Sequence, residues 1–198
     1  MRVPKIYLAG PDVFHPDARS LGERKKAMCA RYGFDGLFPL DNELDLAGLP
    51  PARAGLRIYE ANRSMMQIAD LGIAHLTPFR GPSADAGTVF EVGYMTALGK
   101  PVYGYCNEPG DYLQRAQRRG CVASDVAGVR RDLDEMAIEE FALEDNLMIL
   151  GGVLEHAEFV VHSAPEHARF TDLTGFEACL RRAAERFAHV LAQRDEAP

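Results

Sequence analysis

Five short apolar runs, each closed by turn residues, alternate along the chain with longer stretches of helical period, and this alternation constrains the fold more than any single motif. The runs are residues 5–9, 36–38, 71–76, 101–105 and 159–162, and the helical stretches are residues 17–32, 52–69, 88–98, 133–150 and 171–193. Strand followed by helix, repeated, implies a parallel sheet covered on both faces. With five strands the expected architecture is a flavodoxin-like doubly wound sheet of order 2-1-3-4-5, in which ligands bind beyond the carboxyl ends of the strands. A chain of 198 residues, 47% of them hydrophobic, holds one good core, so residues 1–198 are read as a single α/β domain.

Turn residues follow each of the first four strands: Gly10-Pro11, Pro39-Leu40-Asp41-Asn42, Thr77-Pro78-Phe79-Arg80-Gly81 and Cys106-Asn107-Glu108-Pro109-Gly110. These loops converge on one crevice. Residues 44–53, rich in Pro and Gly, form either a loop over that crevice or a plain connection. Residues 114–131 carry Arg115, Arg118, Arg119, Arg130 and Arg131, and read as a solvated excursion rather than an anion site.

Composition removes several classes of function. A net charge of -7 and a pI near 5.4 argue against nucleic acid and anionic membrane surfaces as partners. No apolar run reaches the length of a membrane span, and no signal-peptide core precedes the first strand, which places the protein in the cytoplasm. Cys29, Cys106, Cys121 and Cys179 are far apart, with no paired spacing and no His at a zinc interval, so reduced thiols are expected and no metal.

The chemistry concentrates at Asp85-Ala86-Gly87-Thr88-Val89-Phe90-Glu91, where two carboxylates flank a glycine turn that opens a helix. Two carboxyl groups can cleave a glycosidic bond through a covalent sugar ester, one attacking the anomeric carbon while the other handles protons, provided that their pKa values are pushed apart. Local readings compete. Thr88-x-x-Glu91 spells a capping box, and Asp85 suits an Asx turn. Either way the sequence puts Glu91 in the first helical turn, where the macrodipole favours its ionised form. Other templates fail: residues 81–88 lack the Lys of a phosphate loop, and there is no Gly-x-Ser-x-Gly elbow, HExxH helix or Gly-x-Gly-x-x-Gly after the first strand. Phe14 and Phe79 are candidates to stack on a flat base, or are core.

Tyr7-Leu8-Ala9-Gly10-Pro11, Pro39-Leu40-Asp41-Asn42, Asn62, Ala69-Asp70, Pro78-Phe79-Arg80-Gly81, Asp85-x-Gly87-Thr88-x-Phe90-Glu91-x-Gly93-Tyr94, Ala97-Leu98-Gly99-Lys100-Pro101 and Asp145-Asn146-Leu147-Met148 together resemble the nucleoside 2-deoxyribosyltransferase family over about residues 4–150. The resemblance implies transfer of 2-deoxyribose between nucleobases through an ester on a glutamate, without a cofactor, in flavodoxin-like subunits that form homo-oligomers. It implies that Glu91 is the nucleophile, that Asp85 meets the base and helps with its proton, and that Tyr7 supports the nucleophile's carboxylate. Asn62, Asp41 and Gly87 join Phe14 and Phe79 in the implied substrate-binding set, and Asn146 and Met148 reach the sugar's 5-hydroxyl region from a neighbouring subunit. From the residues alone, the favoured readings are a half-buried strand aromatic for Tyr7 and a helix cap for Asn146. Some members carry an aspartate where this chain has Asn62; an amide cannot shuttle a proton, so base protonation falls on Asp85. A hydrolase acting on deoxyribonucleosides or their 5-monophosphates, and a nucleoside-binding domain without turnover, are the alternatives.

Overall fold

The structure, a computed structural model, describes residues 2–195. In chain order it contains β1 (Lys5–Ala9), α1 (Ala18–Arg31), β2 (Asp35–Leu37), α2 (Pro51–Ile68), β3 (Leu71–His75), α3 (Ala86–Ala97), β4 (Val102–Cys106), α4 (Tyr112–Arg118), β5 (Ser124–Val126), β6 (Val129–Arg131), α5 (Leu147–Leu154), β7 (Phe159–Val161), α6 (Thr174–Arg186) and α7 (Ala188–Asp195). The main sheet runs β2-β1-β3-β4-β7 with every pairing parallel, which is the expected 2-1-3-4-5 order counted over its own strands.

Alternation along the strands sorts two cores. On one face Ile6, Leu8, Ile73, Tyr103 and Tyr105 pack with Met28 and Cys29 of α1 and Phe176, Cys179, Leu180 and Ala183 of α6. The α6 set repeats every three or four residues, so a single stripe is buried. On the other face Tyr7, Ala9, Ala74 and Val102 meet Met65 and Met66 of α2, Val92 and Met95 of α3, and Ile149, Leu150 and Val153 of α5. Since side chains on a strand point alternately to opposite faces, Tyr7 is directed to the α3 side and its neighbours Ile6 and Leu8 to the α1 side.

Three expectations need correction. The helix expected over residues 133–150 is confined to Leu147–Leu154. Upstream, the Asp132 carboxylate accepts from the Asp134 and Met136 amides, and Glu135 and Ala142 have positive φ, so local turns replace the helix and leave Leu133, Met136 and Phe141 exposed. The arginine-rich stretch is no plain solvated excursion: it holds α4 and the β5–β6 hairpin, Arg115 is fully buried, and Arg118 and Arg119 both pair with Glu108. The helix expected over residues 171–193 breaks at Phe187, whose ring turns inward to an edge contact with Phe34. The four cysteines are free thiols.

Candidate active site

Glu91 and Tyr7, 84 residues apart, meet where α3 crosses β1. The Tyr7 hydroxyl donates to Glu91 Oε1 at 2.5 Å. Tyr7 is wholly buried, so the Glu91 carboxylate that meets it is turned inward, although Glu91 as a whole is only partly buried. Burial raises the Glu91 pKa to about 7; the Tyr7 hydrogen bond opposes that shift, and the negative charge of Asp85 adds to it. Burial, with the Glu91 charge beside it, pushes the Tyr7 phenol far above its ordinary range, so the hydroxyl stays a donor.

The helix start differs from the sequence reading. Asp85, not Thr88, is the N-cap: its Oδ2 accepts from the Thr88 amide at 2.9 Å and from the Thr88 hydroxyl at 3.1 Å. Glu91 is therefore the sixth residue of α3, one turn deeper than expected, and it does not reach back to cap the helix. Its environment is governed by burial, and its pKa moves up where the dipole argument had it favouring the ionised form. Gly87 lies in the first turn, where a Cβ would come within 3.0 Å of Asp85 Oδ2.

The remaining expected residues fall into two groups. Phe14 and Phe79 stack on each other, with ring centroids 5.5 Å apart and an interplanar angle of 11°. Phe14 is exposed, which excludes a core role for it, and Phe170 closes the far side edge-on against Phe79. Arg80, in the left-handed region at φ 57°, lays its guanidinium over both stacked rings. Asn62 accepts from the Asn42 side-chain amide at 3.2 Å, at the rim beside β2. Asp41 has both carboxylate oxygens engaged, one by Lys26 and one by the Phe38 amide. Asn146 caps α5 through the Met148 amide and also donates to Glu139, while Met148 points into solvent with 75% exposure.

A buried polar chain was missed by sequence reasoning. Lys25 Nζ donates to Asp12 Oδ2 at 2.6 Å, His75 Nδ1 lies 3.0 Å from Asp12 Oδ1, His75 Nε2 lies 2.8 Å from Thr77 Oγ1, and the Asn107 amide donates to that same Oγ1 at 2.8 Å. All five residues are buried. Burial lowers the His75 pKa despite the neighbouring Asp12 charge, so the imidazole is neutral; with a carboxylate facing Nδ1, the proton sits there and Nε2 accepts from Thr77. This chain ties the Gly10–Phe14 turn to the loop carrying Phe79. A Cβ at Gly10 would stand 2.4 Å from Asp12 Oδ2 and 2.8 Å from His75 Cβ, so only glycine fits the crossing. The available signal was His75 itself, a polar side chain inside an apolar strand, which must find a buried partner.

Farther along the rim a cavity of about 370 Å³ is lined by Asn107, Glu108, Pro109, Arg118, Arg119 and Arg169, and it includes none of Tyr7, Asp85 or Glu91. Among the described residues no helix is long and apolar enough to cross a membrane.

A Tyr-supported carboxylate beside a second one, on the rim of a parallel α/β sheet, sets the terms for comparison with known proteins. The family model described as nucleoside 2-deoxyribosyltransferase matches residues 6–148, and the chain belongs to that family. The solved structure of a 2-desoxiribosyltransferase from Leishmania mexicana is similar at 28% identity and a TM-score of 0.65, over 92% of this chain and 97% of that one. A conserved protein from Enterococcus faecalis V583 shares the fold, with a TM-score of 0.53 at 20% identity over 92% of this chain and 99% of that one. An uncharacterized Schizosaccharomyces pombe protein, C191.05c, is 38% identical over 118 residues, 59% of this chain; the match spans 56% of that relative's length. Family and fold together point to a glycosyl-transferring enzyme.

Proposed function

We propose that the protein transfers 2-deoxyribose between nucleobases, with Glu91 as nucleophile. The observation that carries this reading is the Tyr7–Glu91 pair: a carboxylate held by one strong donor, with no cation paired to it among the described residues and Asp85 alongside. A Glu91 oxygen attacks the anomeric carbon, the C–N bond breaks with its electron pair going to the base, and the departing base takes up a proton from Asp85, which enters this step in its acid form while Glu91 is ionised. An incoming base then attacks the anomeric carbon through nitrogen, the ester C–O bond breaks to regenerate the Glu91 carboxylate, and the proton lost from that nitrogen returns to Asp85. Thr88 occupies Asp85 Oδ2, so Oδ1 is the oxygen directed to the base. The Phe14–Phe79 pair offers a flat apolar wall for that base. No step requires a cofactor. A neighbouring subunit contributes Asn146 and Met148 to the sugar, in keeping with the exposure of Met148.

Incubation with deoxyinosine and adenine is expected to yield deoxyadenosine. A 2-fluoro-deoxynucleoside is expected to leave a stable adduct whose mass maps to Glu91. Absence of both base exchange and adduct with every common base defeats the reading. The hydrolytic alternative uses the same ester with water as acceptor, and release of free sugar in the presence of excess acceptor base separates it from transfer.

A further inference from the structure

We propose that Asp145 is a positioning residue that holds the segment before Asp85 in place for proton transfer to the base, an inference that rests on the transferase reading above. Asp145 is 2% exposed and gathers two distant stretches of chain on one carboxylate. Oδ1 accepts from the Ser83 hydroxyl at 2.5 Å and from the Asn146 amide at 2.8 Å, and Oδ2 accepts from the Ala84 amide at 2.9 Å. Ser83 and Ala84 immediately precede Asp85. The Phe79 amide donates to the Ser83 carbonyl at 2.9 Å, so the loop is closed on itself at one end and anchored to Asp145 at the other.

The two helices involved do not need these bonds for their own caps. Asp85 caps α3 through Thr88, and Asn146 caps α5 through the Met148 amide. What the Asp145 carboxylate adds is a fixed relation between the backbone entering Asp85 and the backbone entering Asn146. Behind it stands Arg115, wholly buried, with Nη2 3.7 Å from Asp145 Oδ2 and Nη1 donating to Cys106 Sγ at 3.4 Å. Nε and Nη2 of Arg115 have no hydrogen-bond acceptor among the described residues. A buried guanidinium left so poorly bonded is costly, and the carboxylate it pairs with is Asp145, with the Glu108 charge also within its reach. Arg115 therefore faces, across 3.7 Å, the same carboxylate that accepts three hydrogen bonds from the two segments. A general acid displaced by a fraction of an ångström loses its advantage, and a carboxylate that pins the adjoining amide is a direct way to prevent this.

The test uses the full-length chain carrying Arg115→Met with Asp145→Asn, which removes both buried charges together so that neither is stranded, and Ser83→Ala as a milder second variant. Two donors are compared: an ordinary deoxynucleoside, whose base leaves with a proton, and one with an activated leaving group that departs without it. The double variant is expected to lose about 100-fold in kcat on the ordinary donor, of the order one acid contributes, while the activated donor changes by less than about threefold; Ser83→Ala follows the same pattern with a smaller loss. Equal losses on both donors mean a merely structural role and overturn the proposal. So does unchanged amide hydrogen exchange at Ala84 and Asn146 in the double variant, which requires no turnover to read. Failure of the unmodified protein to process either donor is seen before any variant is made; it overturns the transferase reading, and the positioning role with it.

Discussion

Asp12 and Glu91 are both inward-facing carboxylates near the carboxyl end of the sheet, one on each face, and their pKa values move in opposite directions. Burial acts on both alike, raising the pKa by penalising the charge. At Asp12 the Lys25 ammonium at 2.6 Å and the His75 ring outweigh that penalty and hold the carboxyl well below the usual range. At Glu91 the only strong partner among the described residues is the neutral Tyr7 hydroxyl, Asp85 repels, and the pKa rises to about 7. The difference lies in the cation. A carboxylate paired to a buried ammonium is spent on structure, and here it knits the Phe14 turn to the Phe79 loop; one left with a neutral donor carries an uncompensated charge once ionised, and that is the charge the transferase reading uses.

The sharpest way to break this contrast is to remove the charge that the reading makes reactive. Glu91→Gln is expected to cut base exchange by about 10⁴-fold or more, the scale on which loss of a nucleophile is felt, while circular dichroism remains that of the native fold. Retained turnover in this variant would end the assignment. At Asp12 the expected loss is of stability. Lys25→Met strands a buried carboxylate and is expected to cost about 3–5 kcal/mol, read from urea unfolding at pH 7. Since the Asp12 pKa is lowered, its contribution is present above the unfolded carboxylate value of about 4 and disappears as pH falls below it, so the gap between parent and variant should close toward acid.

Glu91 carries the opposite linkage. With a folded pKa near 7, above that of the unfolded chain, the native state holds a proton that the unfolded state has released between these values. The stability it contributes is full below about pH 4.5 and is lost as pH rises through 7, a change of about 3 kcal/mol. The Gln variant lacks this titration, so its stability relative to the parent is expected to increase over that interval. Parallel stability curves from pH 5 to 8 would show that the carboxylate is not desolvated.

The sheet was legible because burial on both faces forces apolar runs, and nothing in residues 5–9, 71–76 or 101–105 competes with that signal. The segment from 112 to 146 was not, since its conformation depends on side-chain bonds that periodicity does not carry: Asp132 turning on its own amides, and Arg115 drawn inward to a carboxylate 30 positions away. The same holds at the site. The spacing of Asp85 and Glu91 marked the start of a helix, but Thr88-x-x-Glu91 and Asp85-x-x-Thr88 both spell caps, and only the fold decides which cap forms. Tyr7 illustrates the remaining gap: alternation along β1 places it on a face, while its meeting with a residue 84 positions later depends on how α3 crosses that face.

The smallest effect probes the donor itself. Tyr7→Phe keeps the buried ring and removes the hydroxyl, so Glu91 loses a hydrogen bond to its charged form, a contribution of about 1.5–3 kcal/mol. Because that bond holds the Glu91 pKa down, its removal moves the pKa further up. Base exchange, which needs the ionised Glu91 carboxylate, is expected to show a limb that rises with pH through about 7 in the parent. In Tyr7→Phe the rising limb is expected to shift to higher pH, with a rate at neutral pH about 10–100-fold lower. The two parts of this outcome are separable. A lower maximum with an unmoved limb would mean that Tyr7 orients the carboxylate without tuning it, and the contrast with Asp12 would then rest on the Lys25 ammonium alone.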